Sequence, residues 1–268
     1  MKVAALQMTS GPEVAANLAT AGALLEAAAR EGARLAALPE NFAFLGLVDA
    51  DKRKVAEAPH EGPIQRFLSE SARRCALWII AGTVPLRRPD EERVAAASLL
   101  YDPQGQLAAR YDKIHLFDVG IPGKTEKYRE SDNIAPGSSV IVHDTDVGRL
   151  GLTVCYDVRF PELYRRLSAA GAQLISIPSA FTAPTGRAHW EVLLRARAIE
   201  NLCYVIAPAQ SGFHPNGRET YGDSMIVDYW GRVLARRPRG SGIVLAELDL
   251  QHQAHVRSTF PALEHRVL

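Results

Sequence analysis

Apolar positions along this chain fall into short runs separated by longer stretches of helical periodicity. Val3 to Met8 reads as a first strand. A helix follows from about Pro12 to Arg30, because proline suits its first turn, alanine and leucine fill its body, and Gly32 stops it. Arg34 to Leu38 is a second strand, Pro63 to Arg74 a helix and Leu77 to Ala81 a buried strand. Val94 to Asp102 and Gln106 to Arg110 form a hairpin across Pro103-Gln104-Gly105. Further strands are predicted near Val140 and over Leu150 to Val154, Leu174 to Ile177, Cys203 to Ala209, Ser224 to Asp228 and Ile243 to Leu248. Two more helices lie between them, Pro161 to Ala170 and Ala188 to Asn201. Such alternation predicts an α/β protein rather than a bundle or an all-β sandwich. With no internal repeat or linker in view, residues 1–268 are expected to form a single domain, a size that α/β domains reach undivided.

One segment breaks the alternation. Asp112 to Ser139 carries prolines, glycines and many charges without periodicity, and loops of that length in compact domains are usually functional. Part of a site is expected there.

Composition narrows the function classes. Lys and Arg number 31 against 30 Asp and Glu, which gives no global attraction to nucleic acid or to an anionic membrane and points to a small-molecule substrate. No apolar run reaches spanning length, and Met1 to Met8 turns polar too soon for a secretory signal, so a cytoplasmic location is expected. Cys75, Cys155 and Cys203 are odd in number and lack metal-ligand spacing, which fits reduced thiols. Neither a cofactor nor a metal is expected; His252 and His255 have no further ligands near them.

Three positions carry the chemistry. Gly151 to Val154 is an apolar run that ends on Cys155 and turns polar before the Pro161 helix. A thiol at a strand-to-helix turn can be exposed beside converging backbone N–H groups, the arrangement of a nucleophile at an oxyanion hole. The plainer reading of a lone cysteine is a buried structural thiol, which suits Cys203 and Cys75. Glu40 follows the run Leu35 to Leu38 and Pro39; in a water-poor cleft such a carboxylate can serve as general base, desolvation raising its pKa toward working pH. Lys113 lies just past the hairpin, where an ammonium could stabilise the anion of a tetrahedral intermediate, although a lone lysine is commonly a solvated charge.

Taken in this order, Leu38-Pro39-Glu40, Tyr111-Asp112-Lys113-Ile114-His115-Leu116 and Val154-Cys155-Tyr156-Asp157-Val158-Arg159-Phe160-Pro161-Glu162 resemble the three motifs of the nitrilase (carbon-nitrogen hydrolase) superfamily. The resemblance runs from Met1 to Leu268. It implies a Glu-Lys-Cys triad of Glu40, Lys113 and Cys155, with Glu130 as a second glutamate of the pocket. It implies also a four-layer α-β-β-α sandwich that pairs into a homodimer. In the implied reaction Glu40 takes the thiol proton, Cys155 attacks an amide carbon, and Lys113 with the Tyr156 N–H holds the oxyanion. Water then hydrolyses the thioester.

Phe181 within Pro178-Ser179-Ala180-Phe181-Thr182, together with the run Ala188 to Glu200, resembles the deaminated glutathione amidase branch. Omega-amidases share Cys-Tyr-Asp-x-Arg-Phe, so 2-oxoglutaramate or 2-oxosuccinamate remains an alternative substrate. Arg159 could bind the 2-oxo acid carboxylate as a fork, or else pair with Asp157 or Glu162. Phe181 and Thr182 are expected to line the pocket with Tyr156. Thioester chemistry also serves acyltransferases and nitrile hydrolases, and a scaffold can outlive its chemistry as a partner-binding module. Three features read plainly. Gly123-Lys124-Thr125 lacks the first glycine of a phosphate loop, His189 sits on an apolar helical stripe, and Arg236-Arg237-Pro238-Arg239 reads as a solvated turn.

Overall fold

In the computed structural model, residues 1–120 and 127–267 are described. The first half opens with β1 (Lys2–Gln7), α1 (Val14–Arg30), β2 (Leu35–Leu38), α2 (Pro63–Cys75) and β3 (Trp78–Ala81). It continues with β4 (Val84–Arg88), β5 (Glu91–Tyr101) and β6 (Leu107–Asp112). Strands β1, β2 and β3 are parallel. β4 carries on in line from β3 across Gly82-Thr83 and pairs with the same partner, β5, whose other edge takes β6. The seventh strand of this sheet, β17 (Gly242–Glu247), returns from the far end of the chain to lie antiparallel to β1.

Between the two halves come β7 (Asp118–Gly120) and β8 (Lys127–Arg129), a small antiparallel pair. The second half holds β9 (Val142–Thr145), β10 (Gly148–Leu152), α3 (Pro161–Ala169), β11 (Leu174–Ser176), α4 (Ala183–Asn201) and β12 (Tyr204–Ala207). A β13 (Ser211–Phe213) and β14 (Glu219–Tyr221) hairpin, then β15 (Ser224–Val227) and β16 (Val233–Arg237), complete it. The six-stranded sheet runs β16-β15-β12-β11-β10-β9, with β10, β11 and β12 parallel. α5 (Leu250–Thr259) follows β17.

Alternation within the short parallel strands explains the layering. Val3 and Ala5 of β1 and Leu35 and Ala37 of β2 join the cluster shared with the second sheet, while Ala4, Leu6, Ala36 and Leu38 join the cluster built with α1 and α2. A strand apolar on both faces is buried on both faces, which is why these strands read as unbroken runs. On the second sheet α3 and α4 pack together and α4 lies against β12 and β15. The order is therefore α-β-β-α, the sandwich that the resemblance to the nitrilase superfamily implied.

Several expectations need correction. α1 begins at Val14 and α4 at Ala183, not at Pro12 and Ala188. The segment Asp112 to Ser139 is not structureless, since it contains β7, β8 and a 3-10 turn over Glu130–Asp132. Arg236 and Arg237 belong to β16 instead of a solvated turn, and Arg236 forms an ion-pair fork with Asp223 and reaches Glu191 at 3.1 Å. Gly123-Lys124-Thr125 lies outside the described residues. No helix among the described residues is long and apolar enough to cross a membrane.

Candidate active site

Each functional side chain hangs just past the end of a strand. Glu40 follows β2 by two residues, Lys113 follows β6 directly, and Cys155 follows β10 by three. Backbone bonds fix the exits: the Lys113 N–H donates to Ala96 O at 3.0 Å, and the Cys155 N–H donates to Pro178 O at 2.9 Å. Gly82 shows how tightly the Glu40 exit is packed. It has a φ of +37°, and a Cβ there would lie 1.9 Å from the Pro39 carbonyl oxygen, so only glycine lets β3 pass this close to the residue before Glu40.

These exits bring Glu40, Lys113, Glu130 and Cys155 to one cleft at the seam of the two sheets. The Lys113 ammonium donates to Glu40 Oε1 at 2.9 Å and to Glu130 Oε2 at 2.8 Å. Glu40 Oε2 accepts the Ala180 N–H at 2.8 Å, and Glu130 Oε2 accepts the Phe117 N–H at 2.7 Å. Lys113 is 1% exposed and Glu40 5%, so the cluster is an ion network taken out of water and has to be internally satisfied.

Burial by itself pushes the Glu40 carboxyl up, but the Lys113 charge and hydrogen bond, with a further hydrogen bond to Cys155, carry it below the ordinary carboxylate range. This reverses the expectation that desolvation would raise it toward working pH. Lys113 is driven the other way: burial favours the neutral amine, yet Glu130 and Glu40 hold it well above its ordinary value. Burial and the neighbouring Glu40 charge push the Cys155 thiol far up. At rest the site is thus a neutral thiol beside an ionised carboxylate, with the ammonium between two anions.

Asp157 braces this arrangement. Fully buried, it accepts the Tyr111 hydroxyl at 2.7 Å and the Val154 N–H at 2.8 Å on one oxygen, and the His115 N–H at 3.1 Å on the other, with His115 Nδ1 2.7 Å away. It therefore ties the segment carrying Lys113 to the turn carrying Cys155. Burial and the Asp157 charge keep Tyr111 protonated, pushing its pKa far up. Cys155 has a φ of +48°, left-handed backbone that costs a non-glycine residue on the order of 1–2 kcal/mol and persists because the surrounding bonds over-determine it.

The cleft is narrow, with about 40 Å³ of space open to water-sized molecules. Tyr156, Phe181 and Thr182 line it, where the sequence reading put them. Arg159 is not part of the lining: its guanidinium lies over the Tyr156 and Phe181 rings, 5.8 Å and 5.2 Å from their centres, and donates to His189 Nδ1 at 3.2 Å. Asp157, with which Arg159 could have paired, spends its oxygens on Tyr111, Val154 and His115. Sequence reasoning missed Asn41, Asp49, Lys52, Tyr128 and Arg218 in the lining. No periodicity marks them, since they sit on turns and short hairpins far apart in the chain. Cys203 is buried and Cys75 partly so, and Cys203 lies against Ala172 O and Arg257 away from the cleft. Among the described residues no cluster of His, Cys, Asp and Glu is arranged to hold a metal.

A fold of this kind with a thiol, an ammonium and two carboxylates in one cleft is that of an acyl-transferring hydrolase. Residues 2–258 match the carbon-nitrogen hydrolase family, and the chain belongs to it. A deaminated glutathione amidase of Synechocystis is 47% identical over 268 residues, covering 98% of this chain and 97% of its own. Another deaminated glutathione amidase, from Yersinia enterocolitica, is 45% identical over 264 residues, covering 98% and 92%. The crystal structure of the C. elegans NitFhit protein superposes with a TM-score of 0.93 at 40% identity, covering 99% of this chain and 65% of that longer one.

Proposed function

We propose that this hydrolase cleaves the amide of deaminated glutathione, releasing 2-oxoglutarate and cysteinylglycine. The observation that carries the reading is a single lysine bonded to both glutamates in the cleft that holds Cys155. Two deaminated glutathione amidases above 40% identity over nearly the whole chain support the choice of substrate.

The roles follow from the charge states. Glu40, ionised at rest, takes the proton as the Cys155 sulfur attacks the amide carbon. Lys113 and the Tyr156 N–H hold the oxygen as it becomes anionic. The tetrahedral intermediate collapses, the C–N bond breaks, and the amine leaves with the proton from Glu40. Water, deprotonated by Glu40, attacks the thioester, and the acid departs as the thiol is restored. Glu130 keeps Lys113 oriented through its two-oxygen contact, so its loss should lower kcat more than it raises KM.

To test this, Cys155→Ala is compared with wild type on deaminated glutathione and 2-oxoglutaramate, following cysteinylglycine, ammonia and the mass of the intact protein. Wild type should form cysteinylglycine and a transient acyl adduct, and the variant neither. Faster ammonia release from 2-oxoglutaramate would move the reading to omega-amidase, and turnover by Cys155→Ala would end it.

The same reading makes residues 1–268 one domain, because one apolar cluster draws side chains from both sheets. It places the enzyme in the cytoplasm as a metabolite-repair activity, where a thiol nucleophile stays reduced. It also makes the enzyme a homodimer. Exposed Val192 and Ile199 on α4, with Trp230 and Phe260 stacked edge-to-face, offer an apolar face of the kind that pairs. Sedimentation should give twice the chain mass; a monomer at micromolar concentration would refute the pairing.

A further inference from the structure

Two cations line the cleft that the mechanism leaves idle, Lys52 and Arg218, and Arg218 is the more tightly fixed. It closes the turn between β13 and β14. That turn is anchored by His214, whose Nδ1–H donates to Ser10 O at 2.8 Å while its Nε2 accepts the Thr220 hydroxyl at 2.7 Å. Burial lowers the His214 pKa, in keeping with a neutral ring in these two roles. Asn216 completes the anchor, donating to Gly46 O at 3.0 Å and accepting the Arg218 N–H at 3.0 Å. The Arg218 guanidinium then lies 5.2 Å over the Tyr128 ring, and its Nη2 donates to Ala180 O at 2.6 Å. Ala180 is the residue whose N–H holds Glu40.

What this geometry leaves over is a donor. Among the described residues, Arg218 Nε is buried with no hydrogen-bond partner, and no carboxylate pairs with this guanidinium. An unmet buried donor on a charged group costs free energy unless a ligand completes it. The Nε edge of a guanidinium matches the two oxygens of a carboxylate, and ring stacking has already fixed its plane. The cleft has a further need that this meets. Glu40, Glu130 and Asp49 face it against Lys113 and Lys52, and Lys113 is already committed to both glutamates, so an anionic substrate needs a further fixed cation to receive its charged end.

We infer that Arg218 is a specificity-determining residue, binding a carboxylate of the substrate as a fork while the amide lies against Cys155. The inference rests on the amidase reading and deepens it. Both the 2-oxo acid end and the glycine end of deaminated glutathione carry this group, and paired substrates tell them apart.

The test compares wild type, Arg218→Met and Arg218→Lys. One pair is 2-oxoglutaramate and 4-oxopentanamide, in which a methyl replaces the carboxylate. The other is deaminated glutathione and its C-terminal glycinamide. Arg218→Met should lower kcat/KM on the acid of the responsible pair about 10- to 100-fold, chiefly through KM, and change its neutral counterpart by less than about 3-fold. Arg218→Lys, which keeps the charge and loses the fork, should recover only part. A loss on the first pair assigns the acyl end, and a loss on the second the amine end. Equal losses on acid and neutral members, or none, would overturn the inference and leave Arg218 a structural prop of Tyr128 and Ala180. Wild type inactive on every amide would instead refute the amidase reading, with its acyl adduct missing as well.

Discussion

Replacing Lys113 by Met keeps most of the stem and deletes the charge that holds two buried carboxylates together. At 2.9 Å and an effective dielectric constant of 20, the attraction to Glu40 alone is about 6 kcal/mol, most of it offset in the intact protein by the cost of burial. Taking away one member of such a network leaves the desolvation unrewarded, and the expected loss is about 3–5 kcal/mol at neutral pH. Its pH dependence is the sharper prediction. In wild type Glu40 lies below its unfolded value, so its contribution to stability is present above that value and is lost as pH falls through the depressed one. In the variant, only the weaker Cys155 hydrogen bond and Lys52 charge still oppose burial, the largest influence on Glu40, so its folded-state carboxyl titrates above its unfolded value. Its stabilising effect is then full at low pH and is lost as pH rises. The stability gap between the two proteins should therefore be wide at pH 8 and close on acidification toward about pH 4. Urea unfolding across that range measures it. A gap that stays constant with pH would refute the charge assignment. Acylation should also fall by roughly 100- to 1,000-fold, the scale of one lost oxyanion donor.

Two other consequences can be measured directly. With Glu40 held low by Lys113 against the push of burial, the acid limb of kcat/KM should lie below about pH 5, and a limb near pH 6.5 would point to another base. Asp157→Ala leaves the Tyr111 hydroxyl and the Val154 and His115 N–H groups without their acceptor; unfolding should show a loss of about 3–5 kcal/mol, lowering Tm by about 10 °C, and an unchanged Tm would contradict the bracing role.

What the sequence displayed and what it hid follow from where each residue sits. β1, β2 and β3 were legible because central parallel strands are apolar on both faces. β4 was not predicted because Gly82 interrupts the run and Pro85, Arg87 and Arg88 break the apolar pattern; β16 was missed because its arginines read as a solvated turn. Edge strands carry such residues as a rule, and β16 ends its sheet. α5 has no apolar stripe to betray it. Its buried residue is Gln253, whose amide donates to Gln173 O and Leu202 O. Glu40, Lys113 and Cys155 were recognisable from motifs at strand ends and Glu130 from the family resemblance alone, and their meeting is geometric. Arg218 carries no local signature at all, because its neighbours in space, Tyr128 and Ala180, lie some 90 and 38 positions away in the chain. The direction of the Glu40 shift was misjudged for the same reason: it depends on Lys113, which sequence order places 73 residues away.

The seam location of the cleft has one more consequence. Glu40 and Lys113 belong to the first sheet and Cys155 to the second, so no half of the chain holds both the sulfur and its base. A polypeptide still emerging, or one whose halves have come undocked, carries an ordinary, sluggish thiol. Reactivity toward amides requires the two layers to be in register, because only then do the sulfur, its base and the ammonium share one cleft.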